Sequence, residues 1–211
     1  MRSIYQMICL VITLAGAAWA APEPAIVQKT GDWTINATFE QPEQILLRSG
    51  ADDKPVRFWY IIVTLTNKTG HDADFYPQCD LVTDTFQVTP AGKGVTPAVL
   101  ELIKKRHADR YPFLESLEGA GNKILQGQDS AKDVAVIWPD FDTRAGGINV
   151  FITGLSNETA VVSHPVAKDE QGRPTKVFLR KTLELSYKLR GDPALRSSVE
   201  VVYQGQRWVM R

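Results

Sequence analysis

Two aspartates in a turn-rich segment have the spacing in this sequence that comes nearest to known chemistry. Asp140 and Asp142 lie in residues 139–147 (PDFDTRAGG), and carboxylates two residues apart resemble the first ligands of a calcium-binding loop. The segment lacks the third oxygen position, the correctly placed glycine and the closing glutamate of such a loop. Calcium is nevertheless the one cofactor that the sequence suggests. The favoured interpretation of the segment is a structural hairpin turn.

A second group of possible metal ligands follows a predicted strand. His71, Asp72 and Asp74 supply three oxygen or nitrogen ligands within four residues. On a strand, Asp72 and Asp74 face one way and His71 faces the other, which does not suit a single metal ion. A polar turn explains the group equally well, so no metal is assigned to it.

The sequence contains no catalytic motif, and no catalytic residue is assigned. Gly119 and Gly121 lack the third glycine of a dinucleotide-binding fingerprint, and residues 154–158 (GLSNE) lack the final glycine of a nucleophile elbow. No histidine neighbours a serine or cysteine nucleophile in a familiar motif; the three are His71, His107 and His164. A triad drawn from distant residues stays open, because catalytic triads are recognised by geometry and not by sequence position.

The N-terminal residues predict export from the cytoplasm. A positive charge at Arg2 precedes an apolar run at residues 7–17, and residues 18–20 (AWA) place small side chains where a signal peptidase reads them. We therefore expect cleavage between Ala20 and Ala21. The run is shorter than the roughly 20 residues that span a bilayer, so the mature chain is predicted to be periplasmic or secreted, without a transmembrane segment. An uncleaved N-terminal anchor is the alternative.

Charge and cysteine content narrow the class of protein further. The chain has 24 basic and 24 acidic residues, without a basic stripe between aromatic residues, which argues against a nucleic-acid partner. Cys9 leaves with the signal peptide, so Cys79 is the single cysteine of the mature chain and no internal disulfide can form. A lone cysteine is more often a small buried residue than a nucleophile. Three asparagines head N-x-Thr triplets that a glycosylating host could modify: Asn36, Asn67 and Asn157.

The pattern of apolar residues predicts a chain of short strands. After a loosely ordered leader at residues 21–31, a single domain is expected at 32–211. Strands are predicted at residues 32–39, 44–48, 56–66, 73–76, 81–88, 123–125, 134–138, 148–153, 159–162, 177–189, 198–203 and 207–210. Residues 56–66 (VRFWYIIVTLT) are apolar on both faces, which is typical of a central strand that is covered on both sides. Ile61 and Val63 should share one buried face, and Trp208 should pack inward at the end of the chain.

One helical insertion interrupts the strands at about residues 96–118. Thr96 suits the N-cap, Pro97 suits the first helical position, and cations crowd residues 104–107, where they complement the helix dipole. A second helical turn is predicted at residues 112–117.

Four stretches of the sequence also resemble a known family. They are residues 58–70 (FWYIIVTLTNKTG), 75–85 (FYPQCDLVTDT), 136–142 with 154–159 (VIWPDFD and GLSNET), and 207–211 (RWVMR). They resemble uncharacterised exported bacterial proteins with an immunoglobulin-like β-sandwich. The resemblance implies a fold and a compartment; it transfers no site, because this architecture hosts many unrelated functions.

Together these observations predict an all-β, immunoglobulin-like β-sandwich with one short helical insertion. The favoured function is an exported binding or structural module of the cell envelope, without catalytic activity, that meets an envelope protein or polysaccharide. An envelope hydrolase using Asp140, Asp142 or a histidine is the first alternative. A carbohydrate-binding domain is the second, and it would need an exposed row of tryptophans, for which core packing is the favoured interpretation.

Overall fold

Two β-sheets pack face to face in the computed structural model, which describes residues 31–48 and 54–211. In chain order the strands are β1 (Asn36–Phe39), β2 (Glu43–Leu47), β3 (Val56–Asn67), β4 (Ala73–Asp74), β5 (Gln78–Thr83), β6 (Val88–Pro90), β7 (Glu115–Ser116), β8 (Lys123–Ile124), β9 (Gly127–Pro139), β10 (Gly147–Thr153), β11 (Thr159–Lys168), β12 (Pro174–Arg190) and β13 (Glu200–Met210), with helix α1 (Pro97–Arg106) before β7 and a 3₁₀ segment (Pro193–Ser198) before β13. The predicted signal peptide, its cleavage point between Ala20 and Ala21, and leader residues 21–30 lie outside the described residues.

The pairing of these strands divides them into two large sheets. The first sheet places β3 between β9 and the successive strands β1 and β2, and β7 pairs in parallel with β9. The second sheet runs β11–β12–β10–β5–β6, with β13 also paired to β12. Strands β4 and β8 form a separate small pair. The prediction of an all-β, sandwich-like chain with one α-helix is confirmed at this level.

Strand β3 is buried on both faces, as its sequence predicts. Trp59, Ile61 and Val63 point into the core between the two sheets, where they meet β5, β9, β10 and β12. The alternate residues of β3, together with residues of β9, form a second core against α1. Helix α1 contributes Val99 and Ile103 to this core. A continuous run of β-branched and aromatic residues suits such a strand because neither face meets water.

Truncating Ile61 should therefore be costly. Ile61 is fully buried between the sheets, so Ile61→Ala should lower the free energy of unfolding by about 2–4 kcal/mol through lost burial and the cavity left behind. Val56→Ala, at the exposed start of the same strand, provides the control and should cost less than about 0.5 kcal/mol. Urea unfolding of both variants measures the difference, and similar losses at the two positions would contradict this placement of β3.

The insertion after β6 contains a shorter helix than predicted. Helix α1 begins after Thr96 with Pro97 and ends at Arg106, as its cap residues indicate, but residues 112–117 form a turn and strand β7 in place of a second helical turn. A single isolated helical turn is unfavourable because nucleation fixes several residues for one hydrogen bond. Pairing of β7 with β9 satisfies this backbone instead.

Three predicted connections also differ from those observed. The strand predicted at residues 81–88 divides into β5 and β6, because a turn at residues 84–87 places exposed Phe86 at a φ of +66°. The strands predicted at residues 198–203 and 207–210 are one strand, β13, with a bulge beside Gly205. Residues 140–146 do not form a hairpin, since they carry the chain from β9 in the first sheet to β10 in the second.

The C-terminal strand is present, but the expected burial of Trp208 is wrong. Trp208 pairs with Leu183 of β12, and direct partners in a ladder share one face. Its side chain nevertheless stays 40% exposed, with the Lys181 ammonium 5.2 Å from the ring centre. Strand pairing, with little help from core packing, therefore holds this end of the chain.

Candidate interaction surface

Strand β11 and the first half of β12 form a two-stranded ribbon at one end of the second sheet. Residues 159–163 pair with residues 176–180, and the turn between the strands is held by Asp169, whose carboxylate accepts backbone hydrogen bonds from Gln171 and Arg173. Every residue from 161 to 181 is exposed or only partly buried. Two-stranded ribbons are marginally stable alone in water, and this one continues from the larger second sheet through β12.

The ribbon displays apolar side chains that the folded chain does not bury. Val166 is 80% exposed and Phe178 is 69% exposed, and Val161, which pairs with Phe178, is also exposed. Single exposed apolar residues are ordinary on protein surfaces. Three of them lie on this one ribbon, beside unpaired backbone.

The two edges of the ribbon differ in whether their backbone groups are free to pair with another strand. On the β11 edge, Pro165 has no N–H to donate, and His164 Nδ1 accepts the N–H groups of Val166 and Ala167 at 3.1 and 2.8 Å, which forms a bulge. Proline and bulges are the usual devices that protect an edge from pairing. On the other edge, β13 ends before residues 174–179 of β12 and leaves them unpaired among the described residues.

A groove of about 360 Å³ lies on the outer face of the second sheet beside this open edge. Its lining includes Phe151 and Phe178 together with Arg180 and Arg211. The Arg211 guanidinium lies 4.3 Å from the centre of the Phe151 ring and forms an ion pair with Asp80 at 3.6 Å. The groove therefore combines aromatic surface with two arginines, of which Arg211 is paired with Asp80.

Asp140, the first predicted calcium ligand, lies at the centre of a polar cluster. Its Oδ1 accepts a hydrogen bond from Trp59 Nε1 at 2.8 Å and lies 3.2 Å from Arg196 Nη2, while its Oδ2 lies 3.6 Å from Arg57 Nε. The Arg196 guanidinium is itself nearly buried, 5.0 Å from the Trp59 ring centre and 4.4 Å from that of Phe141. This cluster joins the 3₁₀ segment to the first sheet.

Asp142, the second predicted calcium ligand, has a separate arginine partner. Both of its oxygens accept hydrogen bonds from Arg144, at 3.0 and 2.9 Å, and these bonds hold the pKa of Asp142 well below its usual range. Within residues 31–48 and 54–211, no group of three or more histidine, cysteine, aspartate or glutamate side chains is arranged to hold a metal ion. Calcium binding at Asp140 and Asp142 stays a prediction.

A cluster that the sequence does not reveal joins the end of α1 to the first sheet. The Tyr60 hydroxyl lies 2.8 Å from both Glu43 Oε2 and His107 Nε2, and Arg106 donates to the same hydroxyl at 3.2 Å. Burial, followed by the hydrogen bond to Glu43, raises the pKa of Tyr60 well above its usual value, so the hydroxyl is held as a neutral donor. Glu43 and Tyr60 are direct ladder partners, a register that their sequence separation alone does not specify.

The remaining predicted residues have structural surroundings. Cys79 is buried, and burial followed by the charge of Asp80 raises the pKa of its thiol, which makes it a poor nucleophile. Asp72 accepts a hydrogen bond from the backbone N–H of Gln126 and lies in the loop between β3 and β4. Asn67 is fully buried, and its amide donates to the carbonyls of His71 and Ile124, so a glycan does not fit there in the folded chain.

The tryptophans do not form a row on the described surface. Trp59 and Trp138 are fully buried, as core packing predicts, and Trp33 is partly buried against the same core. Trp208, in contrast, is exposed. A flat aromatic platform for sugars is therefore not formed by these side chains.

Comparisons with protein-family models, with curated proteins and with solved structures gave no match to this chain. In the part of the chain that the structure describes, no helix has the length and apolar character needed to cross a membrane.

Proposed function

We propose that this protein is an exported binding module, without catalytic activity, that engages a polypeptide partner through the ribbon formed by β11 and β12. The observation that carries the proposal is the ribbon itself. It exposes Val166 and Phe178, and one of its edges has unpaired backbone groups. A folded monomer gains little from such a feature, whereas a partner strand could use both the side chains and the backbone.

A polypeptide partner fits this edge better than a polysaccharide does. An unpaired strand edge presents N–H and C=O groups at regular spacing, and another extended polypeptide supplies the complementary row. The N-terminal sequence supports export, and the two facing sheets connected through residues 140–146 support an immunoglobulin-like arrangement. The fold adds no information about the partner.

Site-specific photocrosslinking in intact cells tests the proposal. A photoreactive residue at position 166 should give a discrete adduct with a partner polypeptide. The control carries the same residue at position 86, where Phe86 is even more exposed but lies on the turn between β5 and β6. Equal adducts from the two positions, or none from position 166, would contradict a binding role for the ribbon.

A shortened ribbon provides the matching loss-of-function variant. Replacing residues 163–176 with Asn-Gly joins the hydrogen-bonded ladder partners Val162 and Val177 through a two-residue hairpin turn. Because no buried side chain is removed, the thermal midpoint should change little. Binding to the partner isolated by crosslinking should be lost, and retained binding would place the contact elsewhere.

A further inference from the structure

We propose that the partner segment is an extended polypeptide with one acidic face and one aliphatic face, which adds as a strand along residues 174–179 of β12. This inference rests on the proposed function and specifies the chemistry of the partner. It follows from three observations: which backbone groups of β12 are open, which charges lie on the outer face of the ribbon, and which side chains lie on its inner face.

The backbone of β12 is directed so that it can receive a strand in line with β13. Arg180 and Arg211 exchange two backbone hydrogen bonds, at 2.8 and 3.1 Å, on the β13 side. Lys181 N–H instead donates to the Glu158 carbonyl on the β11 side, at 3.0 Å. Because an antiparallel ladder alternates in this way, the N–H and C=O groups of Phe178 and Lys176 point to the β13 side, where β13 has already ended.

The outer face beside this open edge is positively charged. Lys176, Phe178 and Arg180 alternate with the inner-face residues of β12 and therefore share the outer face. Among the described side chains, neither Lys176 nor Arg180 has a carboxylate partner in an ion pair, whereas the charge of Arg211 in the adjoining groove is already paired with Asp80. A strand added here would gain from acidic side chains on its outer face.

The inner face beside the same edge is aliphatic. Val177 and Leu179 are only partly buried and pair across the ribbon with Val162 and Ala160, respectively. An added strand would place its inner-face side chains next to Val177 and Leu179, where aliphatic residues bury the most apolar surface. The complementary segment therefore alternates acidic and aliphatic residues.

Fluorescence anisotropy with a synthetic peptide tests this inference. The probe is a short fluorescein-labelled peptide that alternates glutamate with valine, titrated with the chain from Ala21 onward. We expect saturable binding that weakens with added salt, as exposed charge pairs do. A peptide that alternates lysine with valine should not bind, and equal binding of the two peptides would overturn the proposed charge preference.

Two pairs of charge reversals place the binding on the ribbon. Lys176→Glu with Arg180→Glu should weaken binding of the glutamate–valine peptide by about tenfold or more. Lys54→Glu with Lys93→Glu changes the net charge equally at exposed positions outside the ribbon and should leave the affinity unchanged. Equal losses from both pairs would show attraction to net charge alone and would contradict the site.

N-methylated peptides test the strand pairing directly. If the peptide takes the direction of β13, its outer-face glutamates lie opposite Phe178 and Lys176 and exchange both backbone hydrogen bonds with them. Methylation of the glutamate nitrogens should then abolish binding, whereas methylation of the valine nitrogens should not. Equal effects of the two patterns would overturn strand addition.

The outcomes separate this inference from the proposed function. If the peptides fail to bind while crosslinking from position 166 still requires the ribbon, the partner chemistry is wrong and the binding role stands. If sedimentation shows that the chain self-associates and that Lys176→Glu with Arg180→Glu prevents it, a second copy occupies the edge and the acidic-segment inference is overturned. Loss of both crosslinking and peptide binding would contradict both proposals.

Discussion

Replacing Trp59 with alanine is expected to lower the free energy of unfolding by roughly 4 kcal/mol, within the range for truncating a buried tryptophan. Trp59 is fully buried in the core between the sheets, with its ring centre 5.1 Å from that of Phe141. Its Nε1 also donates to Asp140 at 2.8 Å. Alanine would leave a cavity and remove one hydrogen bond from Asp140, so the urea midpoint should fall with little change in the slope.

Trp208→Ala is the matched control for this substitution. Trp208 is the same residue type in a paired strand, but it is 40% exposed and its ring contacts a lysine at the sheet margin. Its truncation should cost about 1 kcal/mol or less. A loss at Trp208 as large as that at Trp59 would mean that the C-terminal strand carries more of the core than its exposure indicates.

Local sequence patterns were sufficient to predict strand β3 and the beginning of helix α1. The continuous apolar run of β3 predicts burial on both faces, and both faces are covered. Thr96 and Pro97 mark the beginning of α1 correctly: Pro97 suits the first turn, although the Thr96 side chain makes no capping hydrogen bond. These are cases in which the controlling interactions lie within a few positions along the chain.

The ribbon could not be predicted in the same way. Its strands extend into residues 163–176, where most side chains are polar and exposed and apolar residues do not recur at a regular spacing. The sequence pattern therefore predicts a loop between two shorter strands. What forms the ribbon is register: once residues 159–163 pair with residues 176–180, the intervening chain continues as a hairpin. Register depends on residues far apart in sequence, and the open edge beside β13 depends on a third strand.

The Asp140 cluster shows the same limit for the candidate sites. The sequence places Asp140 beside Asp142 and suggests a shared calcium ion, because the two carboxylates are neighbours in the chain. The fold gives them different partners: Asp140 meets Trp59 and Arg196, which are 81 and 56 positions away, respectively. Long-range ion pairs leave no periodic signal in a single sequence.

Asp140→Ala is expected to lower the free energy of unfolding by roughly 2–3 kcal/mol. Removing one partner of a buried ion pair costs about 3–5 kcal/mol because the other charge loses its compensation, and the 31% exposure of the Asp140 side chain reduces that loss through solvent screening. The loss arises because two donors would lose their acceptor: the nearly buried guanidinium of Arg196 and the N–H of Trp59. Asp140→Asn should be milder, since an amide oxygen still accepts from Trp59.

Asp142→Ala, measured with and without calcium, completes this experiment. The arginine partner of Asp142 is largely exposed, so without calcium Asp142→Ala should lower the urea midpoint less than Asp140→Ala does. A calcium ion held by both aspartates would stabilise the folded chain by mass action and would make the two substitutions alike in its presence. If Asp140→Ala destabilises the chain equally with and without calcium, while Asp142→Ala has the smaller effect in both conditions, Asp140 acts through Trp59 and Arg196. A loss that appears only when calcium is present would instead assign both carboxylates to a metal site.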